Sequence, residues 1–289
     1  MRLDRFFSLH VFAPLARPER MGGKRRIPIL MYHSISARLN GSVHPYFETR
    51  TSPRNFGRQM QWLHETGCSV IGLSEVVGAL SNEGTLPPKP VCLTFDDGFR
   101  DFLTEAFPIL SKRRFPATVF LPTGYIGDER KTFKNRECLT WEEVRGLRSK
   151  GVVFGSHTVT HARLESLDGD ELRSELQESK GRIEEETGAG VETFAYPFAF
   201  PEQNTGFVSK LKEAVSAAGY RCGVTTMIGR ASAGNDPLFL RRIPVNDFDD
   251  AALFRAKLEG SYDWLHSLQR LSKFARKPLN VRSQKSYAA

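Results

Sequence analysis

Two adjacent carboxylates follow an apolar stretch that has the length and composition of a buried strand. Residues 90–95 lead into Asp96, Asp97 and Gly98, and the glycine lets the chain turn so that both carboxylates can approach one site. In α/β barrels, catalytic groups gather at the carboxyl ends of the strands. A plain turn also explains an Asp-Gly pair, so this segment alone does not establish a site.

Two histidines follow another apolar, strand-like stretch at 152–154. His157 and His161 lie four residues apart, and they face the same way if the segment takes a helical turn. Imidazole is a frequent zinc ligand. Such pairs also occur by chance, but the chain has only 7 histidines. Two of them after a strand, downstream of the paired carboxylates, favour a metal site.

One carboxylate and two imidazoles give three protein ligands and leave a position for water, which is the layout of a catalytic zinc site. The second carboxylate can then serve as general base. A metal lowers the pKa of its bound water to ~7 and polarises a carbonyl group. This combination suits attack on an unactivated carbonyl, such as that of an amide.

Three segments resemble the motifs of the polysaccharide deacetylase family, whose conserved unit is the NodB-homology domain. The first two are 94–98 (Thr-Phe-Asp-Asp-Gly) and 157–161 (His-Thr-Val-Thr-His), and the third is 194–198 (Phe-Ala-Tyr-Pro-Phe). The resemblance covers about residues 27–247. It implies removal of N-acetyl groups from amino sugars of a polysaccharide or oligosaccharide, and a distorted (β/α) barrel with about seven strands.

The resemblance also assigns roles to the paired carboxylates and the histidines. It implies that Asp96 is the catalytic base and that Asp97, His157 and His161 hold a divalent metal. Zn²⁺ is the expected ion, although Asp-His-His sites accept several divalent metals.

The third motif departs from the family pattern. The resemblance assigns Tyr196, Pro197 and Phe198 to substrate binding, with the Phe198 backbone N–H helping to hold the oxyanion. The arginine that often precedes this motif in the family is absent, because 194–195 reads Phe-Ala. Arg242 is a candidate to replace it.

The family's usual catalytic acid, a histidine in a C-terminal Leu-x-His motif, is also missing. Residues 27–34 end in His33-Ser34 and resemble the opening segment of exopolysaccharide deacetylases, including those that act on poly-N-acetylglucosamine. In that branch the order of the motifs is permuted, so His33 is expected to protonate the leaving amine. His266 falls in a helix-like segment and is interpreted as a surface or packing residue.

Strand-like and helix-like patterns alternate along the chain, which is typical of parallel βα units. We predict an α/β fold, a distorted (β/α) barrel with about seven parallel strands, with an open doubly wound sheet as the alternative. The predicted organisation is a basic N-terminal extension at 1–26, a deacetylase domain at 27–249, and a helical region with a basic tail at 250–289.

The charge balance bears on partners and location. Lys and Arg number 41 against 33 Asp and Glu, a net charge of +8, and much of the excess lies at the two ends. Solvated, flexible termini explain this excess, and contact with an anionic membrane surface is the alternative. No nucleic-acid motif accompanies the charge.

The apolar run at 6–16 is interrupted and makes a poor signal peptide, so a cytoplasmic location is expected, with export as the alternative.

A carbohydrate N-deacetylase acting on an N-acetylated glycan is therefore the leading prediction. One alternative is an amidohydrolase or deformylase acting on a lipid-linked sugar or a small amide, because one fold can support several C–N hydrolyses. A non-catalytic glycan-binding module is the other. Nothing in the sequence predicts the oligomeric state.

Overall fold

The computed structural model describes residues 2–15, 25–38, 44, 47–81 and 85–269. Within these ranges, seven parallel strands form a closed barrel, in which each strand pairs with its neighbours in the chain and the first strand pairs with both the second and the last. The closure confirms the predicted (β/α) barrel and excludes the open sheet. The barrel strands are β1 (Ile29–Tyr32), β2 (Pro90–Phe95), β3 (Thr118–Leu121), β4 (Val153–Ser156), β5 (Thr193–Ala195), β6 (Cys222–Ile228) and β7 (Leu240–Pro244).

The barrel is distorted beside β2. An additional strand, Ser69–Ile71, pairs with the first half of β2, whereas β3 pairs with only its last two residues, Thr94 and Phe95. This additional strand lies at the edge of the sheet rather than in the closed ring.

Local sequence signals explain where the helices begin. The Ser52 hydroxyl accepts a hydrogen bond from the Asn55 amide ahead of Pro53, and Thr140 and Glu143 form the predicted capping box. The longer helices are Pro53–Glu65, Leu73–Leu80, Trp141–Arg148, Gly169–Thr187, Thr205–Ala217 and Ala251–Leu258. Shorter helical segments are Leu3–Phe7, Ser8–Phe12, Ala13–Leu15, Phe102–Ala106, Phe107–Ser111, Thr123–Tyr125, Leu164–Ser166 and Pro237–Phe239. Two-residue strands pair Arg26–Ile27 with Ala231–Ser232, Ser34–Ile35 with Arg50–Thr51, and Thr132–Phe133 with Arg136–Glu137.

Alternation along β2 divides its side chains between two environments. Leu93 and Phe95 belong to the main core, whereas Cys92 belongs to a second cluster that is formed with side chains of other strands and of the helix Leu73–Leu80. Because successive strand residues point to opposite faces, Thr94 and Asp96 share the side of Cys92. The first carboxylate of the pair is thereby directed into the barrel.

Within the predicted N-terminal extension, residues 3–15 are helical and pack against the C-terminal region. The Asp4 carboxylate accepts a hydrogen bond from the Tyr262 hydroxyl, and Trp264 donates its indole N–H to Ser8 and stacks on Phe12. Of the basic residues at the two ends, Arg25 donates to a backbone carbonyl, and most of the others lie outside the described residues. No helix within the described ranges is long and apolar enough to span a bilayer.

Candidate active site

Three ligand-bearing side chains meet at the carboxyl ends of the strands. Asp97 Oδ1 lies 3.3 Å from His161 Nε2 and 3.7 Å from His157 Nε2. The three potential ligand atoms lie within 4.8 Å of one another, and all three residues are buried. The structure thus brings together the trio that the sequence predicted as metal ligands.

The surroundings of this trio suit a cation. His157 Nδ1 lies 2.7 Å from the Ala195 carbonyl oxygen at the end of β5. Nδ1 therefore carries the proton, and the lone pair of Nε2 is available to bind a metal. Asp97 Oδ1 is buried and has no hydrogen-bond partner in the described structure. A buried carboxylate oxygen without a partner costs free energy, and a divalent ion bound between these atoms would remove that cost. The residues present therefore fit a metal.

Backbone conformations with positive φ occur at and beside the potential metal ligands. Asp97, Thr158, His161 and Phe198 all have positive φ, between 57° and 72°, a region that non-glycine residues seldom occupy. The two histidines therefore lie in an irregular loop rather than in a helical turn. Glu175 holds this loop by accepting hydrogen bonds from two of its backbone amides and one hydroxyl. Strained residues concentrated at one place are typical of functional sites.

Asp96 is held by a buried arginine inside the barrel. Arg242 on β7 donates two hydrogen bonds of 2.7 Å to the two Asp96 oxygens, and its remaining donors reach Thr94 Oγ1 and the Thr225 carbonyl. The Arg242 side chain is 0% exposed. Burial alone would raise the pKa of Asp96, but the adjacent guanidinium outweighs it and lowers that pKa. Arg242, the candidate to replace the arginine missing before the third motif, thus lies directly beside Asp96.

His33 lies next to Asp96 at the rim of the barrel. Its Nε2 is 3.9 Å from Asp96 Oδ2, and its side chain is 18% exposed. The residue lies between β1 and the short strand Ser34–Ile35. Burial lowers the pKa of His33, and this effect outweighs the opposing attraction of Asp96 and Asp97.

The third motif contributes one exposed ring and two buried ones. Phe198 is 38% exposed, and its ring centre is 4.5 Å from that of His161. Tyr196 is only 3% exposed and packs edge-on against Phe200 in the main core, and Pro197 is buried as well. The Tyr196 ring thus packs in the apolar core, and Phe198 is the ring of the motif that faces solvent.

Lys134 is a site residue that sequence reasoning missed. Its Nζ lies 3.0 Å from Asp97 Oδ2, at the tip of the hairpin formed by Thr132–Phe133 and Arg136–Glu137. Lys134 and Asn135 both have positive φ, 50° and 59°, which a two-residue hairpin turn requires. No motif marks this lysine, because its position depends on the fold of the hairpin over the metal ligands.

His266 makes a different contact. Its Nε2 lies 2.9 Å from a Glu202 oxygen, and the residue is 7% exposed. Glu202 belongs to the loop after the third motif, so the histidine links that loop to the C-terminal end of the described chain. This placement agrees with its interpretation as a packing residue.

Comparison with known proteins identifies the family to which the chain belongs. The family model described as "Polysaccharide deacetylase" matches residues 83–223. A Bacillus subtilis protein, "Putative polysaccharide deacetylase YxkH", is 30% identical over 234 residues, which cover 81% of this chain and 76% of that protein. The chain belongs to the polysaccharide deacetylase family. It is by class a carbohydrate N-deacetylase, a hydrolase of amide C–N bonds, in a family that depends on metal.

Two further relatives agree with this membership. The structure of the Streptococcus pyogenes deacetylase PplD in complex with acetate is 29% identical, with a TM-score of 0.69 over 82% of this chain and 99% of that one. The poly-β-1,6-N-acetyl-D-glucosamine N-deacetylase of Staphylococcus aureus is 24% identical over 205 residues, 68% of each protein. The shared fold confirms the barrel architecture.

Proposed function

We propose that this protein hydrolyses N-acetyl groups of amino sugars in a polysaccharide or oligosaccharide, with a divalent metal held by Asp97, His157 and His161. The observation that carries this proposal is the unpartnered Asp97 Oδ1, buried between two imidazole nitrogens and adjacent in the chain to an arginine-held carboxylate. The relative from Staphylococcus aureus, whose name specifies poly-β-1,6-N-acetyl-D-glucosamine, supports a polymer of N-acetylglucosamine as substrate.

The donor set supports Zn²⁺ as the resident ion. Two neutral imidazoles and one carboxylate with a position left for water are typical of catalytic zinc. Such an ion would polarise the acetyl carbonyl and favour ionisation of the attacking water. Lys134 donates to Asp97 Oδ2 and so leaves Oδ1 as the oxygen that faces the histidines.

Asp96 is the group that takes the proton of the attacking water. It must be ionised to act as a base, and Arg242 favours the ionised form by lowering its pKa. The two parallel hydrogen bonds also fix the plane of the carboxylate. Arg242 is therefore a positioning residue, which acts on the reaction through Asp96.

His33 is the group that protonates the leaving amine. The two metal histidines are unavailable, because ligation keeps them as neutral donors. The lowered pKa of His33 means that its ring is mostly neutral in the resting protein at neutral pH, so it has to gain a proton before the amine departs. Asp96, whose Oδ2 is 3.9 Å away, is the nearest acid once it has taken the proton of water.

We also propose a cytoplasmic location with the N-terminal segment retained. Support comes from the packing of this segment, in which Arg2 contacts Asp249, Asp4 contacts Tyr262 and Ser8 contacts Trp264. The mass of the intact protein purified from its own cells tests the proposal. Cleavage near Ala13 or Ala16 would show instead that the segment is an export signal.

Acetate release from a panel of N-acetylated glycans tests the proposed reaction. The panel should include poly-N-acetylglucosamine and its oligomers, a lipid-linked N-acyl sugar and a formylated amino sugar, each with and without added zinc. We expect acetate and one new free amine per event from the N-acetylglucosamine substrates. Formate release alone would favour the deformylase alternative, and glycan binding without any release would favour a binding module.

A further inference from the structure

The excess positive charge of the chain is confined to two segments. Residues 16–26 and 270–289 together contain 11 Lys and Arg against the single acidic residue Glu19, and the rest of the chain contains 30 basic and 32 acidic residues. The catalytic domain is therefore close to neutral. The net charge of +8 therefore comes from residues 16–26 and 270–289.

Both basic segments adjoin one structural unit. Residues 3–15 form a continuous run of helical segments, and Phe7 and Phe12 lie against Trp264. One basic segment follows directly after residue 15 and the other directly after residue 269. The two concentrations of charge are thus attached to the same part of the molecule.

The N-terminal helical run has one packed side and one exposed side. Asp4 and Ser8 are buried against the C-terminal region. Leu3 is 60% exposed and Phe6 is 42% exposed. Val11 is also exposed, and Phe7, at the border with Trp264, is 39% exposed, so large apolar side chains recur at helical spacing on the side that faces solvent.

We propose that this exposed face, defined by Leu3, Phe6, Phe7 and Val11, docks the protein onto an anionic lipid bilayer. An apolar helix face with basic sequence beside it is the pattern of interfacial helices, in which the apolar side chains enter the headgroup region and the cations contact acidic lipids. Each basic residue near such a surface strengthens binding about fivefold. The apolar side chains and the charge act together, because neither signal alone gives stable attachment.

Co-sedimentation with lipid vesicles tests this proposal without reference to catalysis. Wild-type protein should bind vesicles of phosphatidylcholine with phosphatidylglycerol, bind pure phosphatidylcholine weakly, and release at high salt. The triple variant Leu3→Gln/Phe6→Gln/Val11→Gln should bind the anionic vesicles about tenfold more weakly or worse. Glutamine keeps the helix propensity and the net charge. The matched control is Val153→Thr, an apolar residue that is 41% exposed on β4, and it should bind like wild type.

Three outcomes would overturn the proposal, provided that thermal melting shows the triple variant to be folded. The first is binding of the triple variant equal to wild type, as expected if residues 270–289 cover the face or if charge alone attaches the protein. The second is equal binding of wild type to both kinds of vesicle. The third is a change of oligomeric mass in the triple variant by light scattering, which would make the face a contact between copies of this chain.

Discussion

Replacement of Arg242 by methionine tests how the base is positioned. The arginine makes four hydrogen bonds inside the barrel, two of them to Asp96, and both side chains are almost fully buried. Removing one partner of a buried ion pair costs ~3–5 kcal/mol. At ~2–4 °C per kcal/mol for a domain of this size, we expect the melting temperature to fall by about 10 °C.

The same variant should lose activity for a separable reason. Without the guanidinium, Asp96 is buried without a counter-charge, so its pKa rises and its orientation is no longer fixed. Misplacement of a catalytic group by about 1 Å can cost ~10²-fold in rate, and we expect a loss in kcat of at least that size. Metal content should be unchanged, because Arg242 contacts none of the three ligands in the described structure.

A double-mutant cycle measures the coupling between Asp96 and Arg242. The double variant Asp96→Leu/Arg242→Met removes both buried charges, so it should be more stable than the sum of the two single losses predicts. Arg242→Lys keeps the charge but loses the paired hydrogen bonds, and it should regain stability more fully than activity. If Arg242→Met melts and turns over like wild type, or if the two losses simply add, Arg242 does not position the base.

Three further predictions concern single sites. His33→Ala should keep its fold and metal and lose ~10²–10⁴-fold in kcat, whereas His266→Ala should turn over like wild type; the opposite result would exclude His33 as the acid. His157→Ala should purify without its metal and release no acetate, and metal analysis of the variant checks this. Burial opposes ionisation of Glu143, but hydrogen bonds from Arg130 and other groups lower its pKa to about 2. Because the pKa of Glu143 is depressed on folding, the contribution of the Arg130–Glu143 pair to stability should be complete above about pH 4.5 and disappear towards about pH 2. In Arg130→Met, the melting temperature should therefore depend less on pH over that range.

Much of the fold was predictable because the relevant signals are local. The apolar run of β2, the cap at Ser52 and the capping box at Thr140 each depend on residues a few positions apart, and all three appear in the structure. The sequence left open whether the segment from His157 to His161 takes a helical turn, and the structure shows an irregular loop. Spacing alone cannot show that the loop adopts positive φ and is held by hydrogen bonds to a distant glutamate.

The site was predictable in its motifs but not in its supporting contacts. Asp96 and Arg242 are separated by 146 positions, and only closure of the barrel brings them together. Lys134 reaches Asp97 because a hairpin folds over the ligands, which no short motif records. The packing of Asp4 against Tyr262 likewise spans 258 positions, so composition alone could not predict it.

The central claim is that one metal ion held by Asp97, His157 and His161 is required for release of acetate. The most direct measurement is a titration of chelator-treated protein with Zn²⁺, in which bound metal and acetate released from an N-acetylglucosamine oligomer are followed together. We predict that activity is absent at the start, rises in proportion to bound metal and reaches its plateau near one ion per chain. Full acetate release by the metal-free protein would contradict the claim, and so would its absence from the fully loaded protein.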